Sequence, residues 1–136
     1  MSLVGILSIV VPVLVTILVV VIVVAKKKKP LNKEYFAKHW QEVQKLCGSK
    51  STWPLAIINA DKLLDEALRK SNYKGKSGGE RLVSAQRRLT DNDGIWTAHK
   101  LRNKLVHEHD EAELKEKEVK GALIAFRQAL KDLGAL

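Results

Sequence analysis

The side chains best suited to chemistry in this chain lie close together, at Arg102, Asn103 and His107. Histidine titrates near neutral pH and can take or give a proton, whereas arginine keeps its charge and can grip phosphate oxygens in a fork. Apolar residues recur at helical spacing through residues 95–109, which predicts that all three lie on one α-helix. They form a candidate site for proton transfer beside an anion.

Arg102-Asn103 followed by three residues and His107 resembles the Arg-polar-x-x-x-His signature of the HEPN superfamily. Its members are small helical-bundle domains found in many RNA-cutting toxins and defence proteins, and the resemblance extends loosely over residues 51–134. It implies metal-independent RNA cleavage, with His107 as base or acid, Arg102 as the phosphate-binding cation and Asn103 as a polar positioner. Because family members commonly pair two copies around one cleft, the resemblance also implies a homodimer.

Two features of the motif favour a non-catalytic interpretation. One branch of the superfamily has a tyrosine two residues after the histidine, where this chain has His109. On a straight helix Arg102 and His107 point about 140° apart, so a single cleft would need the helix end to unwind or a second subunit to contribute. Several superfamily members are also inactive binding modules.

A structural role for Arg102 is the main alternative. Asp61 and Asp65 lie four residues apart among leucines, and either could pair with Arg102 and fix how two helices register. His99 and His107 would then cap helices or pack between them. We therefore favour a binding or scaffold domain, with a membrane-tethered, metal-independent ribonuclease as the alternative function.

A second candidate binding feature is a basic segment between residues 69 and 88. Its glycines and Ser77 could offer backbone N–H groups to a phosphate, so we predict RNA or anionic lipid as its partner, with a solvated loop as the plainer interpretation. Net charge adds little, because four lysines at residues 26–29 contribute to the total of +9 and leave +5 for residues 30–136. The seven basic residues, with only Glu80 against them, are Arg69, Lys70, Lys74, Lys76, Arg81, Arg87 and Arg88.

No motif points to a cofactor or a metal, and we predict none. The sequence has no Walker-type loop, no nucleophile elbow and no Cys-x-x-Cys. His107-Glu108-His109 lacks the i, i+4 pairing of a helical zinc site. The single Cys47 excludes an internal disulfide and fits a core thiol in a reducing compartment.

The element that decides where these residues work is the apolar run from Leu3 to Ala25, which four lysines follow at once. A helix of this length spans about 34 Å, enough to cross a hydrocarbon core of about 30 Å. Positive flanks stay cytoplasmic, so we predict a single-pass protein of the cell membrane with its N-terminus outside and its C-terminal domain in the cytoplasm. The length of the run and the side of the charge argue against a cleaved signal peptide.

The remaining sequence predicts an all-α protein. We expect a transmembrane anchor (1–25), a basic juxtamembrane linker (26–31) and a small antiparallel bundle of four to five helices (32–136). Asn32 should cap the first helix of the bundle, which stops at Gly48, and Ser51 or Thr52 should cap the second. The third helix is expected over residues 80–89, the fourth over 95–109 and the fifth from about Asp110.

Overall fold

A computed structural model describes residues 2–25, 29–108 and 113–136, and all regular secondary structure in these ranges is helical. An apolar helix comes first and a bundle of five helices follows, which confirms the predicted fold class. The predicted juxtamembrane lysines at residues 26–28 lie outside the described residues. The helices are α1 (Leu3–Ala25), α2 (Lys33–Leu46), α3 (Trp53–Lys70), α4 (Gly78–Ser84), α5 (Asn92–His107) and α6 (Glu116–Asp132), and a 3₁₀ turn at Lys50–Thr52 joins α2 to α3.

Helix α1 satisfies its polar side chains within itself. The hydroxyl of Thr16 donates to the carbonyl of Pro12 and that of Ser8 donates to the carbonyl of Gly5, each at 2.8 Å. Neither hydroxyl therefore needs a partner in apolar surroundings. Within the described part of the chain, α1 is the one helix long and apolar enough to cross a membrane.

Local signals explain where α2 and α3 begin. The side-chain oxygen of Asn32 accepts from the backbone N–H of Tyr35 at 3.1 Å, which is the predicted N-cap of α2. Helix α3 has Pro54 in its first turn, where a missing N–H breaks no helical bond. Thr52 stands at the N-cap position of α3, but its hydroxyl makes no capping bond and lies 2.5 Å from the carbonyl oxygen of Leu46 and 3.0 Å from that of Ser49.

Helix α3 lies at the centre of the bundle and packs against α2, α4, α5 and α6. Buried alanines along α3 let the neighbouring helices approach closely, and leucines fill the space between them. Each large apolar side chain that is fully buried contributes about 1.5–3 kcal/mol. The largest of these are Phe36, Ile57, Leu64, Leu68, Leu82, Ile95, Phe126 and Leu130.

Helix α4 is shorter than predicted. Ser77 caps it by accepting from the N–H of Glu80 at 3.2 Å, and it ends at Ser84 rather than at residue 89. The chain then turns, because the carbonyl of Ala85 accepts from the N–H of Arg88 at 2.8 Å. Buried residues at helical spacing continue into this turn, so periodicity alone predicts a longer helix.

Helices α5 and α6 also differ from the predicted bounds. Helix α5 begins before the predicted start at residue 95, because Asp91 accepts from the N–H of Gly94 at 3.0 Å and caps a helix that starts at Asn92. Helix α6 begins at Glu116. The start predicted near Asp110 lies outside the described residues.

A glycine turn closes the end of α6. Gly134 has a φ of +78°, a left-handed conformation that glycine adopts without strain. The N–H of Ala135 then bonds to the carbonyl of Leu130 at 2.9 Å. This turn brings Leu133 and Gly134 beside the segment that enters α2.

Candidate functional site

Asp61 of α3 and His99 of α5 meet inside the bundle. The Nδ1 atom of His99 lies 2.8 Å from Oδ1 of Asp61, and the two side chains are only 10% and 9% exposed. A carboxylate only accepts hydrogen bonds, so Nδ1 carries the hydrogen and donates it. The contact is a buried polar link between two helices.

Arg102 reaches the same carboxylate from the next turn of α5. Its Nε atom lies 3.5 Å from Oδ2 of Asp61, and its Nη1 donates to the side-chain oxygen of Asn103 at 3.0 Å. Nε is buried and makes no hydrogen bond with the described residues, so its contact with Asp61 is electrostatic. The sequence leaves two possible partners for Arg102, Asp61 and Asp65. In the structure Arg102 contacts Asp61.

Asp65, one turn along α3 from Asp61, forms an ion pair with a different arginine. Arg81 of α4 donates from Nε to Oδ1 at 2.6 Å and from Nη2 to Oδ2 at 3.0 Å, and its Nη1 donates to the carbonyl of Gly75 at 2.7 Å. The hydrogen bond to Asp65 raises the pKa of the Arg81 guanidinium above its ordinary value. Arg69 adds a second ion pair to Asp65 at 3.3 Å. Arg81 therefore fastens the loop before α4 to α3.

The other ring nitrogen of His99 faces the start of α4. A methyl group placed on Gly79 would lie 3.6 Å from Nε2, and one on Gly78 would lie 3.6 Å from Cε1. The Trp96 ring meets His99 edge-on, with 5.9 Å between the ring centroids. The void beside them measures about 10 Å³, room for one water molecule at most. His99 is thus enclosed by protein on this side.

The three residues of the predicted catalytic motif are not brought to one point. Arg102 contacts Asp61 and Asn103 is half-buried beside it, whereas His107 is exposed at the last residue of α5. His107 makes no ion pair or hydrogen bond with any residue that the structure describes. His109, which stands where one family branch has a tyrosine, lies outside the described residues.

Four basic residues of the 69–88 segment are already engaged. Arg69 and Arg81 share one carboxylate, as described above. Lys70 Nζ lies 3.1 Å from a carboxylate oxygen of Glu66, and Arg88 Nε donates to a backbone carbonyl at the end of α6 at 2.8 Å. The segment is therefore less open to an anion than its composition suggests. The exposed basic residues of the segment whose side chains make neither an ion pair nor a hydrogen bond with the described part of the chain are Lys74, Lys76 and Arg87.

His99 is the residue whose importance the sequence interpretation underestimates, since it assigns this side chain only packing or capping. His99 and Arg102 are three residues apart and so are neighbours on one side of α5. Asp61 and Asp65 are four apart and likewise share a side of α3. The signal in the sequence is a His/Arg pair three residues apart on one helix together with two carboxylates four residues apart on another. This combination predicts that the two helices share a buried polar contact.

Neither the possible metal ligands nor the cysteine thiol forms a reactive site in the described residues. No group of three or more His, Cys, Asp or Glu side chains that could hold a metal ion occurs in residues 2–25, 29–108 and 113–136. Cys47 is half-buried, its thiol donates to the carbonyl of Val43 at 3.3 Å, and burial raises its pKa. A raised pKa keeps the thiol protonated and unreactive.

Comparisons with protein-family models, with curated proteins and with solved structures gave no match to this chain. The resemblance to the HEPN superfamily stays a prediction from the motif. Function is therefore inferred from the side-chain geometry of the chain itself.

Proposed function

We propose that this chain is a single-pass membrane-anchored protein whose helical domain has a binding or scaffold role without catalysis. The observation that supports this most directly is the contact that Arg102 and His99 both make with Asp61. A guanidinium that already faces a carboxylate has its charge compensated. It is poorly placed to stabilise charge that develops on a substrate phosphate.

Metal-free RNA cleavage makes two demands on a site. A base must reach the ribose 2′-hydroxyl, and a fixed cation must lie beside the same phosphate. Arg102 contacts α3 while His107 is exposed at the end of α5, so one copy of the chain does not offer both groups to one phosphate. A ribonuclease would need a second copy to complete the site. The geometry therefore favours the binding domain.

The contacts of Asp61 suit a scaffold because they fix how α5 lies on α3. Half-buried ion pairs of this kind add little net stability over an apolar contact, but they penalise arrangements that leave one partner unpaired. The pairing of Asp65 with Arg81 does the same for α4 on α3. Together they hold three helices in one register.

The anchor gives the proposed domain its place of action. The lysines that follow α1 favour the cytoplasmic side of the cell membrane for residues 30–136. Basic residues close to an anionic leaflet each contribute about 1 kcal/mol to attraction. Partners of the domain would then be molecules at the inner membrane surface.

An RNA-cleavage assay on the full-length protein in detergent micelles tests the proposal. The protein and its Arg102→Ala and His107→Ala variants are incubated with single-stranded RNA in EDTA, beside a mock purification. We expect no cleavage above the mock sample. Urea unfolding should show that Arg102→Ala destabilises the domain by about 1–3 kcal/mol, while His107→Ala changes stability by less than about 0.5 kcal/mol.

The opposite pattern would support the ribonuclease. It consists of RNA cleavage by the wild-type protein that disappears in both variants while both keep wild-type unfolding curves.

A further inference from the structure

An open cavity of about 570 Å³ lies between the entry into α2 and the glycine turn that ends α6. Lys29, Lys33 and Arg88 bring three positive charges to its lining, and Leu31 and Leu133 bring apolar surface. Its volume falls in the range of small-molecule sites, about 300–1,000 Å³. A single headgroup fits this volume.

No carboxylate side chain lines the cavity, and Lys29 and Lys33 make no ion pair with the described residues. The carboxylate of the neighbouring Asp132 accepts its hydrogen bonds outside the cavity, from Thr90 at 2.8 and 2.9 Å and from Gln128 at 2.9 Å, and it attracts Arg88 without a direct ion pair. Three cations against one nearby carboxylate leave the cavity with an excess of positive charge. An anion is the ligand that such a lining favours.

Arg88 is held in a fixed position at the cavity. Its Nε donates to the carbonyl of Asp132 at 2.8 Å, and neither Nη group bonds to a described residue. A guanidinium fixed at one edge keeps its other N–H groups for oxygens of a phosphate, which it binds in a fork. The hydrogen bond to Asp132 thus orients the Arg88 guanidinium so that its Nη groups can bind a phosphate.

The cavity also lies close to the end of the membrane helix. Lys29 follows Ala25 by four residues, and four residues of extended chain span at most about 14 Å. That limit holds whatever the orientation of the bundle. It keeps Lys29 near the polar layer of a bilayer, which begins where the hydrocarbon core of about 30 Å ends.

We propose that this cavity binds the phosphate-bearing headgroup of an anionic membrane phospholipid. Arg88 and Lys33 contact the phosphate, Lys29 adds attraction, and Leu31 and Leu133 contact the glycerol and the first carbons of the chains. The inference rests on the proposed function for membrane attachment and names the ligand of the binding domain. The shared chemistry, a phosphate oxyanion, could also come from free inorganic phosphate, so the test includes both sources.

Native mass spectrometry of the full-length protein in neutral detergent measures the binding. The protein is titrated with phosphatidylglycerol, with phosphatidylcholine and with inorganic phosphate. We expect one phosphatidylglycerol to bind in preference to phosphatidylcholine, and we expect inorganic phosphate not to displace it.

Matched variants locate the site. Arg88→Gln and Lys33→Gln should each weaken phosphatidylglycerol binding about fivefold, the factor that corresponds to about 1 kcal/mol per basic residue at an anionic surface. Arg87→Gln and Lys38→Gln remove the same charge from exposed positions outside the cavity lining and should leave binding unchanged. Arg88→Lys keeps the charge but not the fork, and should fall between the wild-type protein and Arg88→Gln.

Two results would overturn the lipid site. One is equal weakening by the cavity variants and their controls, which would indicate general charge attraction. The other is binding of inorganic phosphate without preference between the two lipids. Urea unfolding of each variant separates lost binding from lost folding, and Lys33→Gln tests the site even if Arg88→Gln unfolds. Neither Arg88 nor Lys33 enters the RNA assay, so the lipid site and the proposed function fail separately.

Discussion

Nδ1 of His99 and Oδ1 of Asp61 are 2.8 Å apart across the α3–α5 contact, where both side chains are almost fully enclosed. The same carboxylate faces the guanidinium of Arg102. One aspartate thus serves two cationic or hydrogen-bonding partners of the neighbouring helix. The consequences can be measured at Asp61 itself.

Asp61→Asn should destabilise the domain by about 2–4 kcal/mol in urea unfolding. The amide keeps the shape of the side chain but leaves Arg102 without its counter-charge, and breaking a buried pair by removing one partner costs about 3–5 kcal/mol before discounting for the exposed part of Arg102. Glu116→Gln is the control, because Glu116 pairs with Lys120 at 3.0 Å on the open surface. It should change stability by less than about 1 kcal/mol. Equal effects of the two variants would contradict the buried role of Asp61.

Arg81→Lys should destabilise the domain by about 1–3 kcal/mol and loosen the loop before α4. Lysine keeps the charge but cannot hold both oxygens of Asp65 and the carbonyl of Gly75 at once. Hydrogen exchange should accelerate at residues 73–80. Arg87→Lys, at an exposed position past the end of α4, should leave exchange and stability as they are.

Two glycine substitutions should act in opposite directions. A Cβ on Gly75 would lie 2.7 Å from the backbone nitrogen of Arg81 and 2.8 Å from Cβ of Glu80, so Gly75→Ala should cost about 1–3 kcal/mol as the loop shifts. A Cβ on Gly121, inside α6, would meet no atom within 4 Å. Gly121→Ala should therefore stabilise the domain by about 0.5–1 kcal/mol through helix propensity. Thermal unfolding of both variants gives the two signs, and the same sign for both would refute this account.

Asp132 should make stability depend on acidic pH. Its burial acts to raise its pKa, but hydrogen bonds from the Thr90 backbone, the Gln128 amide and the Thr90 hydroxyl, together with the charge of Arg88, outweigh that effect, so the pKa lies below its ordinary 3.8. The carboxylate of the unfolded chain then protonates first as the pH falls. The stability that Asp132 contributes is fully present above about pH 4 and is lost as the pH drops through the folded pKa.

Asp132→Asn should lower the unfolding free energy at neutral pH but not at acidic pH. At neutral pH its unfolding free energy should lie about 1–2 kcal/mol below that of the wild-type protein, because charged acceptors make the stronger hydrogen bonds. Below about pH 4 the two curves should converge, since protonation removes the same charge from the wild-type protein. Urea unfolding across the acidic range measures both curves, and parallel curves would count against the lowered pKa of Asp132.

The proposed cytoplasmic location of residues 30–136 is tested by protease protection. In sealed right-side-out vesicles, residues 30–136 should resist added protease until detergent is present. A variant with glutamines at residues 26–29 and lysines inserted after Ser2 should expose the domain in a large share of molecules, because the bias of lysine and arginine sets orientation. Protection that is the same in both proteins would show that the lysines do not decide the orientation.

Most helices could be predicted from short stretches of sequence. Asn32 caps α2 through a bond within its first turn, so a short stretch of sequence contains all the necessary information. The end of α4 is different, because residues that keep helical spacing continue past Ser84 into a turn. Spacing reports which residues are buried, and a tight turn can bury them as well as a helix can.

The choice between Asp61 and Asp65 could not be predicted from the sequence. Both carboxylates lie on one side of α3, so either is a reasonable partner for Arg102. The choice depends on how two other helices cross α3: α4 brings Arg81 to Asp65, and α5 then meets Asp61. That arrangement is a property of the packed bundle rather than of any one segment.

The glycine turn after α6 has a mechanical consequence. Because Gly134 and Lys29 border the same cavity, the end of the last helix lies beside the segment that leads into the first helix of the bundle. A pull on Leu136 against Lys29 would first load the contacts of Leu136 and of the buried Ala135, whose N–H bonds to the carbonyl of Leu130. It would then peel α6 away from the bundle turn by turn. Peeling breaks few contacts at a time, so we expect the domain to open under a much smaller force than one that had to slide whole helices past each other.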